Sequence, residues 1–492
     1  MHNRVKIAIF NPEKGERMIN GEKEELRGGL AAGRKMRRER LVWIGISTVL
    51  AALLVTLAFA PRVLAQSRDQ ETSYYLSLFE EVFEFIQDHY VDEDKLDPHS
   101  LIEGALTGLL ESLDDPHSAY LTSDEMRRLR DDTQGEFGGV GIYILNTEKG
   151  VEVARPIEGT PAERAGVVAG DTIIAVEGES IADLTIDEVV KLLRGKPGTQ
   201  VTMTILRGES YTFDITVRRE MIEVPTVRSA MIPGGIGYLG VLKFTPMTHD
   251  RVEEALREFD RQGYDSLVLD LRSNPGGLLS SVVEVSDLFL EKRQLIVSTR
   301  SRISSENRVY RADSNPQVDE EIRIVVLIDK YTASAAEILT GALKDTDRAI
   351  VMGETSYGKG SVQQIIPVDG GGLRLTTSKY YTPSGTSIDK VGIEPDRVVE
   401  QKEFSEDEID SYRKLIDSGA IAGFVREHPD PSETEIERFI ESLRRDGIVL
   451  RERRIRREIK SEVNRLTGRR TVYDLEFDIV LSEAVEWLES NR

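Results

Sequence analysis

The 492-residue chain contains no cysteine. That absence excludes disulfides, thiolate zinc sites, iron–sulfur clusters and a cysteine nucleophile together. Histidine is scarce: His2, His89, His99, His117, His249 and His428 are all there are. No two stand at H-x-x-x-H spacing, so the helical zinc-protease motif is missing too. A basic balance is also lacking. With 64 Lys+Arg against 86 Asp+Glu the formal charge is −22, which speaks against a nucleic-acid binder and its basic footprint. Hydrophobic residues make up 39%, enough for real cores, and at about 100–200 residues per domain the length predicts two to four domains.

The charge is unevenly distributed. Residues 1–65 hold 12 Lys+Arg and 6 Asp+Glu, a net +6, which leaves −28 for the remainder. The basic cluster Arg34-Lys35-Met36-Arg37-Arg38 precedes an uncharged apolar run from Leu41 to Ala60. As a helix such a run rises about 30 Å, enough to cross a hydrocarbon core. Its basic flank keeps residues 1–40 cytoplasmic and sends the rest out. Residues 41–65 serve either as a membrane anchor or as a signal peptide cut after Val63-Leu64-Ala65. The long basic leader favours the anchor. The expected location is extracytoplasmic, in a periplasm or on the outer face of the membrane, anchored or secreted.

Beyond residue 66 four regions follow. Residues 72–132 read as helices, with apolar stripes at Leu76, Leu78, Phe79, Val82, Phe83, Phe85 and Ile86, and again at Leu101, Ile102, Ala105, Leu106, Leu109 and Leu110. Residues 136–220 change texture to short β-like runs (Gly141–Leu145, Val151–Ala154, Thr172–Val176, Val201–Leu206) around helical pieces at 161–165 and Thr185–Leu193. That is a small α+β module. Residues 221–399 alternate strand and helix, which argues for an α/β core with helices over a sheet. Residues 400–492 turn to charged helical sequence and read as a solvated accessory region or an oligomerisation surface.

Three segments of the α/β part could carry chemistry. In the first, the apolar strand Ile324–Ile328 runs through a tight turn into a helix, with Ser334 at the junction. The helix end there suits a developing oxyanion. Ser334-Ala335-Ala336-Glu337 also satisfies the S-x-x-E capping box, so on this segment alone a helix cap is the simpler reading. The second, Gly353-Glu354-Thr355-Ser356-Tyr357-Gly358-Lys359-Gly360-Ser361, approaches the phosphate-binding G-x-x-x-x-G-K-[ST] loop. It fails on Gly360 and on the strand-like sequence that follows. If 359–366 is extended, Lys359, Ser361 and Gln363 share one face. A lysine in an apolar pocket loses its proton more readily and can act as a general base, and Ser–Lys is a variant of the serine triad. The third, Asp270-Leu271-Arg272-Ser273-Asn274-Pro275-Gly276-Gly277, joins another strand to a helix, with glycines that let backbone N–H groups approach a ligand.

Taken together these segments resemble the carboxyl-terminal processing, or tail-specific, serine protease family. Glu136-Phe137-Gly138-Gly139-Val140-Gly141 resembles the opening of its PDZ domain, and Asp270–Gly277 its D-L-R-x-N-x-G-G stretch. Ser334-Ala335-x-Glu337 resembles its nucleophile motif, and Gly358-Lys359-Gly360 with Gln363 its base motif. Tyr381-Thr382-Pro383-Ser384-Gly385 and Gly392-Ile393-x-Pro395-Asp396 match two downstream signatures. The resemblance implies a multidomain α/β fold: a crotonase-like α/β spiral core, an inserted PDZ domain and helical regions at both ends. It implies Ser334 as nucleophile, Lys359 as base, Gln363 as orienter of the lysine, and Ala335 with Gly276 or Gly277 as oxyanion hole. Gly139, Val140, Gly141 and Ile142 would bind the substrate's carboxylate, and Arg194 would reach the catalytic domain and gate it. No metal and no cofactor is implied. The expected partners are proteins with apolar C-terminal tails, the membrane through 41–60 if uncleaved, and further copies of the chain through its terminal helical regions. The competing reading is an inactive PDZ scaffold or adaptor at the membrane.

Overall fold

The computed structural model describes residues 71–492 apart from 148–149, 209, 401–404, 468 and 470. The leader and apolar run read at 1–65 lie outside the described residues. Among the described residues no helix is long and apolar enough to cross a membrane. The chain divides after Ile102 into two compact units. In the first, residues 71–89 form a helix. Its apolar stripe at Leu76, Leu78, Phe79, Val82, Phe85 and Ile86 is exposed.

The second unit is built on a six-stranded sheet. Its order is Val227–Ile232, Ile236–Val241, Ser266–Asp270, Arg323–Ile328, Ile350–Gly353, Arg397–Val398. The first pair is antiparallel and the others are parallel. Parallel strands covered on both faces read as unbroken apolar runs, and Ile324-Val325-Val326-Leu327-Ile328 does so. Side chains alternate between the faces. Ile324, Val326 and Ile328 meet the helices Thr248–Gln262, Leu279–Asp287 and Ala335–Asp345. Val325 and Leu327 meet Val480, Leu481, Ala484, Val485 and Leu488 of the last helix, Ile479–Ser490.

That last contact corrects the reading of 400–492 as a solvated accessory region. The helices Glu406–Asp417, Ala420–Glu427, Glu433–Arg445 and Glu452–Thr467 gather round a core of their own. The final helix instead covers one face of the central sheet. The expectation of helices throughout 72–132 also fails at Ala119–Thr122. That segment is a strand paired with Gly371–Arg374, and the helix Ser123–Gln134 follows it.

A second, antiparallel sheet runs Ala119–Thr122, Gly371–Tyr381, Leu295–Ser301, Arg308–Arg311, with Ser361–Val368 along the other side of Gly371–Tyr381. A third sheet holds the small module: Ile142–Thr147, Gly150–Pro156, Thr172–Val176, Gln200–Arg207, Tyr211–Arg218. The helix Ile186–Leu193 packs on its separate core through Val189 and Leu193. The incoming and outgoing chains, Glu136–Gly139 and Glu220–Glu223, pair with each other.

Leu488 is fully buried against the sheet. Leu488→Ala is expected to cost about 2–5 kcal/mol. Urea unfolding followed through the catalytic core measures it. An unchanged midpoint would return the last helix to the status of an appendage.

Candidate active site

The strand Arg323–Ile328 ends at a turn, and the helix Ala335–Asp345 begins at once. Ser334 stands at the junction with φ 55° and ψ −115°. Positive φ is uncommon outside glycine and is held only where surroundings over-determine it. Ser334 closes a capping box with Glu337 at the helix start. Its backbone N–H donates to Glu337 Oε2 at 2.7 Å. The cap reading therefore stands, and the same carboxylate has further partners.

Glu337 is fully buried. Its carboxylate also accepts from Ser356 Oγ at 2.6 Å, the Gly358 N–H at 2.6 Å and the Lys359 N–H at 2.9 Å. The Ser334 and Lys359 N–H groups share the single oxygen Oε2. One buried carboxylate thus ties the serine turn to the lysine turn. Burial pushes its pKa up, while the four hydrogen bonds pull the other way. Sequence reasoning saw Glu337 only as a cap. The signal available was a lone acid in the otherwise apolar run Ala335-Ala336-Glu337-Ile338-Leu339.

Lys359 follows Gly358 and precedes the strand Ser361–Val368. A Cβ on Gly360 would lie 2.1 Å from Asp389 N, and one on Gly358 3.0 Å from Gly392 N. The downstream Gly392-Ile393 signature therefore backs the lysine turn, and Ile393 N–H donates to Ser356 Oγ at 2.7 Å. Lys359 is half-buried, and its pKa falls below the ordinary lysine value. Burial is the main cause and the Arg374 charge adds to it, against an opposing pull from Glu337. No hydrogen bond joins Lys359 Nζ to Ser334 or to Gln363 here. Catalytic hydrogen bonds often tighten only with substrate bound. Gln363 Nε2 donates to Ser361 Oγ at 2.9 Å and Thr376 Oγ1 at 3.1 Å, which leaves Oε1 as the atom that could face an amine.

The glycine-rich loop lies against the serine turn. A Cβ on Gly276 (φ 100°) would sit 2.8 Å from Ser334 Cβ and 2.9 Å from Ala335 N. The Gly276 N–H is already given to Asn274 Oδ1 at 2.8 Å, and Asn274 Nδ2 holds the Val241 carbonyl at 2.8 Å. Asn274 shapes the loop. The backbone N–H groups of Ala335 and Gly277 have no acceptor among the described residues. Asp329, also unnoticed in the sequence, accepts from Ser273 N–H at 2.9 Å and from Tyr331 N–H at 3.0 Å. It joins this loop to the serine turn.

In the small module Gly139 ends a strand, Val140 is buried and Ile142 opens the edge strand Ile142–Thr147. Gly141 has φ 83°, and Thr160 would block any Cβ there at 2.3 Å. The edge strand and the helix Ile186–Leu193 flank a cleft of about 1000 Å³, which Tyr143, Val190 and Leu242 help to line. Arg194 lines the same cleft as Leu242 and Lys243. Its guanidinium lies 4.4 Å over the Phe137 ring and 3.8 Å from Asp131 in the helix Ser123–Gln134. The neighbouring Asp132 pairs with Lys243.

A serine at a strained strand–helix turn, backed by a half-buried lysine and joined to a PDZ-type module, defines a serine peptidase of modular build. Comparisons agree. The model of Peptidase family S41 matches residues 235–399, that of the PDZ domain 152–207, and that of the activating protease CtpB N-terminal domain 58–125. The carboxy-terminal-processing protease of Bartonella bacilliformis is 42% identical over 372 residues, 74% of this chain and 83% of that one. Carboxy-terminal processing protease CtpB of Bacillus subtilis is 34% identical over 68% of this chain and 70% of its own. The solved photosystem II D1 C-terminal processing protease is 31% identical over 66% of this chain and 92% of its own, with a TM-score of 0.41. The chain belongs to the carboxy-terminal-processing protease family, serine peptidases that act on proteins.

Glu337→Gln keeps the shape but replaces one accepting oxygen with a donor among donors. A fall in kcat of about 10²-fold is expected, with KM little changed. Steady-state hydrolysis measures both. Wild-type kcat in this variant would remove Glu337 from the account.

Proposed function

We propose that this chain is an endopeptidase working through Ser334 and Lys359 on proteins presented by their C-terminal tails. The Glu337 clamp carries the reading, because it holds the serine and lysine turns on one carboxylate oxygen. Ser334 Oγ attacks the scissile carbonyl as neutral Lys359 Nζ takes the hydroxyl proton. The oxyanion is met by the N–H groups of Ala335 and Gly277, with Gly276 shaping the loop. Lys359 then protonates the leaving amine, and the same amine activates the water that releases the acyl group. Gln363 Oε1 orients the lysine.

The edge strand Ile142–Thr147 supports tail capture. It can take an extended peptide as a further strand, and the N–H groups of Val140 and Gly141, which have no acceptor among the described residues, suit a terminal carboxylate. Gly139 and Ile142 frame that loop. Arg194 would act as a gate through Phe137 and Asp131; unchanged turnover of folded substrates by Arg194→Ala would sink that role. The basic leader and the apolar run to Ala60 support an extracytoplasmic site, anchored or after cleavage, and sequencing the mature N-terminus decides between the two. The exposed stripe on 71–89 supports self-association.

The test incubates the purified full-length protein, beside Ser334→Ala, with a folded protein bearing an apolar tail. Cleavage by the wild type alone is expected. Equal cleavage by both would overturn the serine mechanism, and cleavage by neither would favour the scaffold reading. The neutral lysine is the working form, so kcat/KM should rise with pH. The midpoint of that rise should fall below the ordinary lysine value, the direction in which burial moves Lys359. Lys359→Arg should lose about 10²–10⁴-fold and the pH limb with it.

A further inference from the structure

We propose that the C-terminal region is a working part of this active site, with Asp478 as a positioning residue for the glycine-rich loop; this rests on that loop's proposed role in the oxyanion hole. Arg272 stands directly before Ser273, where the loop starts with φ 58°. Its guanidinium is forked twice. It donates to Asp270 at 2.9 and 2.6 Å, and to Asp478 at 2.8 and 2.6 Å. Asp270 sits two residues away on the same chain and is itself held by Tyr238 Oη at 2.9 Å. Asp478 is the partner that comes from a distant element.

Asp478 is anchored in turn. Its side chain accepts from Leu481 N–H at 3.0 Å and so caps the helix Ile479–Ser490, whose apolar face is buried on the central sheet. The line of support therefore runs from helix packing to Asp478, to Arg272, to the loop that ends at Gly276 and Gly277. Arg272 is 18% exposed and Asp478 22%. Pairs of this kind are weak evidence for stability, and the role assigned to this one is geometric. Oxyanion donors act only within about 2.7–3.1 Å of the developing charge, so the geometry of the loop decides rate rather than binding.

The cap and the ion pair can be separated. Asparagine caps helices as well as aspartate does, so Asp478→Asn keeps the helix start while removing the charge from the pair. The full-length protein is assayed on a peptide too short to bridge from the PDZ groove, reading kcat and KM separately. A fluorophosphonate probe reads both the fraction of reactive Ser334 and its rate of modification, and urea unfolding reads stability. For Asp478→Asn and Asp478→Ala we expect kcat to fall about 10–100-fold with KM little changed. We also expect slower modification of a full complement of Ser334, and partial recovery in Asp478→Glu. Wild-type kcat in folded Asp478→Asn, with Ser334→Ala inactive, would overturn this proposal alone. A loss matched by a lower fraction of reactive serine would also overturn it, since the role would then be structural. Cleavage by Ser334→Ala at the wild-type rate would bring down the serine reading and this proposal together.

Discussion

The buried carboxylate of Glu337 faces four donors and no cation in hydrogen-bonding contact: two backbone N–H groups of the lysine turn, one of the serine turn, and the Ser356 hydroxyl. Burying a charge is costly unless its lone pairs are filled. An ionised carboxylate accepts on both oxygens and donates on neither, which is the chemistry this cluster requires. A glutamine would bring its own donors into a place that has no acceptor for them. Each orphaned N–H would cost about 1–3 kcal/mol. The strained Ser334 backbone and the glycine-bounded Lys359 turn are stable together because the same group satisfies both.

The site joins parts of unlike origin. The serine and the glycine-rich loop leave the C-terminal ends of two parallel strands of the central sheet. The lysine stands just before, and Gln363 within, the strand Ser361–Val368 of the antiparallel sheet. Its neighbouring strand is held from outside the catalytic region: Thr376 N–H donates to Ser118 Oγ at 3.0 Å, and Arg374 Nε to the His117 carbonyl at 2.9 Å. Residues far apart in the chain therefore meet at one candidate site. The lowered pKa of Lys359 follows from this enclosure more than from any single neighbour.

Much of the central sheet was legible because its strands are buried on both faces and read as apolar blocks, as at Ile324–Ile328. The antiparallel sheet was not. Gly371–Tyr381 mixes Arg374, Thr376, Thr377 and Lys379 with its apolar residues, because it is half-exposed and paired on both sides. Ser334 and Lys359 were legible as candidates through motif order. Glu337 and Asp329 were not, since a carboxylate serving backbone N–H groups looks like any cap or turn acid. Asp478 was hidden in a charged tail whose local pattern says helix but not what the helix covers. The expected face-sharing of Ser361 and Gln363 fits their 2.9 Å contact, although a bulge at Val362–Gln363 interrupts simple alternation.

The four residue pairs between Glu136–Gly139 and Glu220–Glu223 zip together the two ends of the PDZ-type module. A domain whose termini lie side by side on a short ladder is grafted at one point of the host chain. It can be exchanged for another with the same spacing without disturbing the host's own strand order. What the module binds and what the host chain catalyses are then free to diverge along separate evolutionary paths, with the ladder as the seam between them.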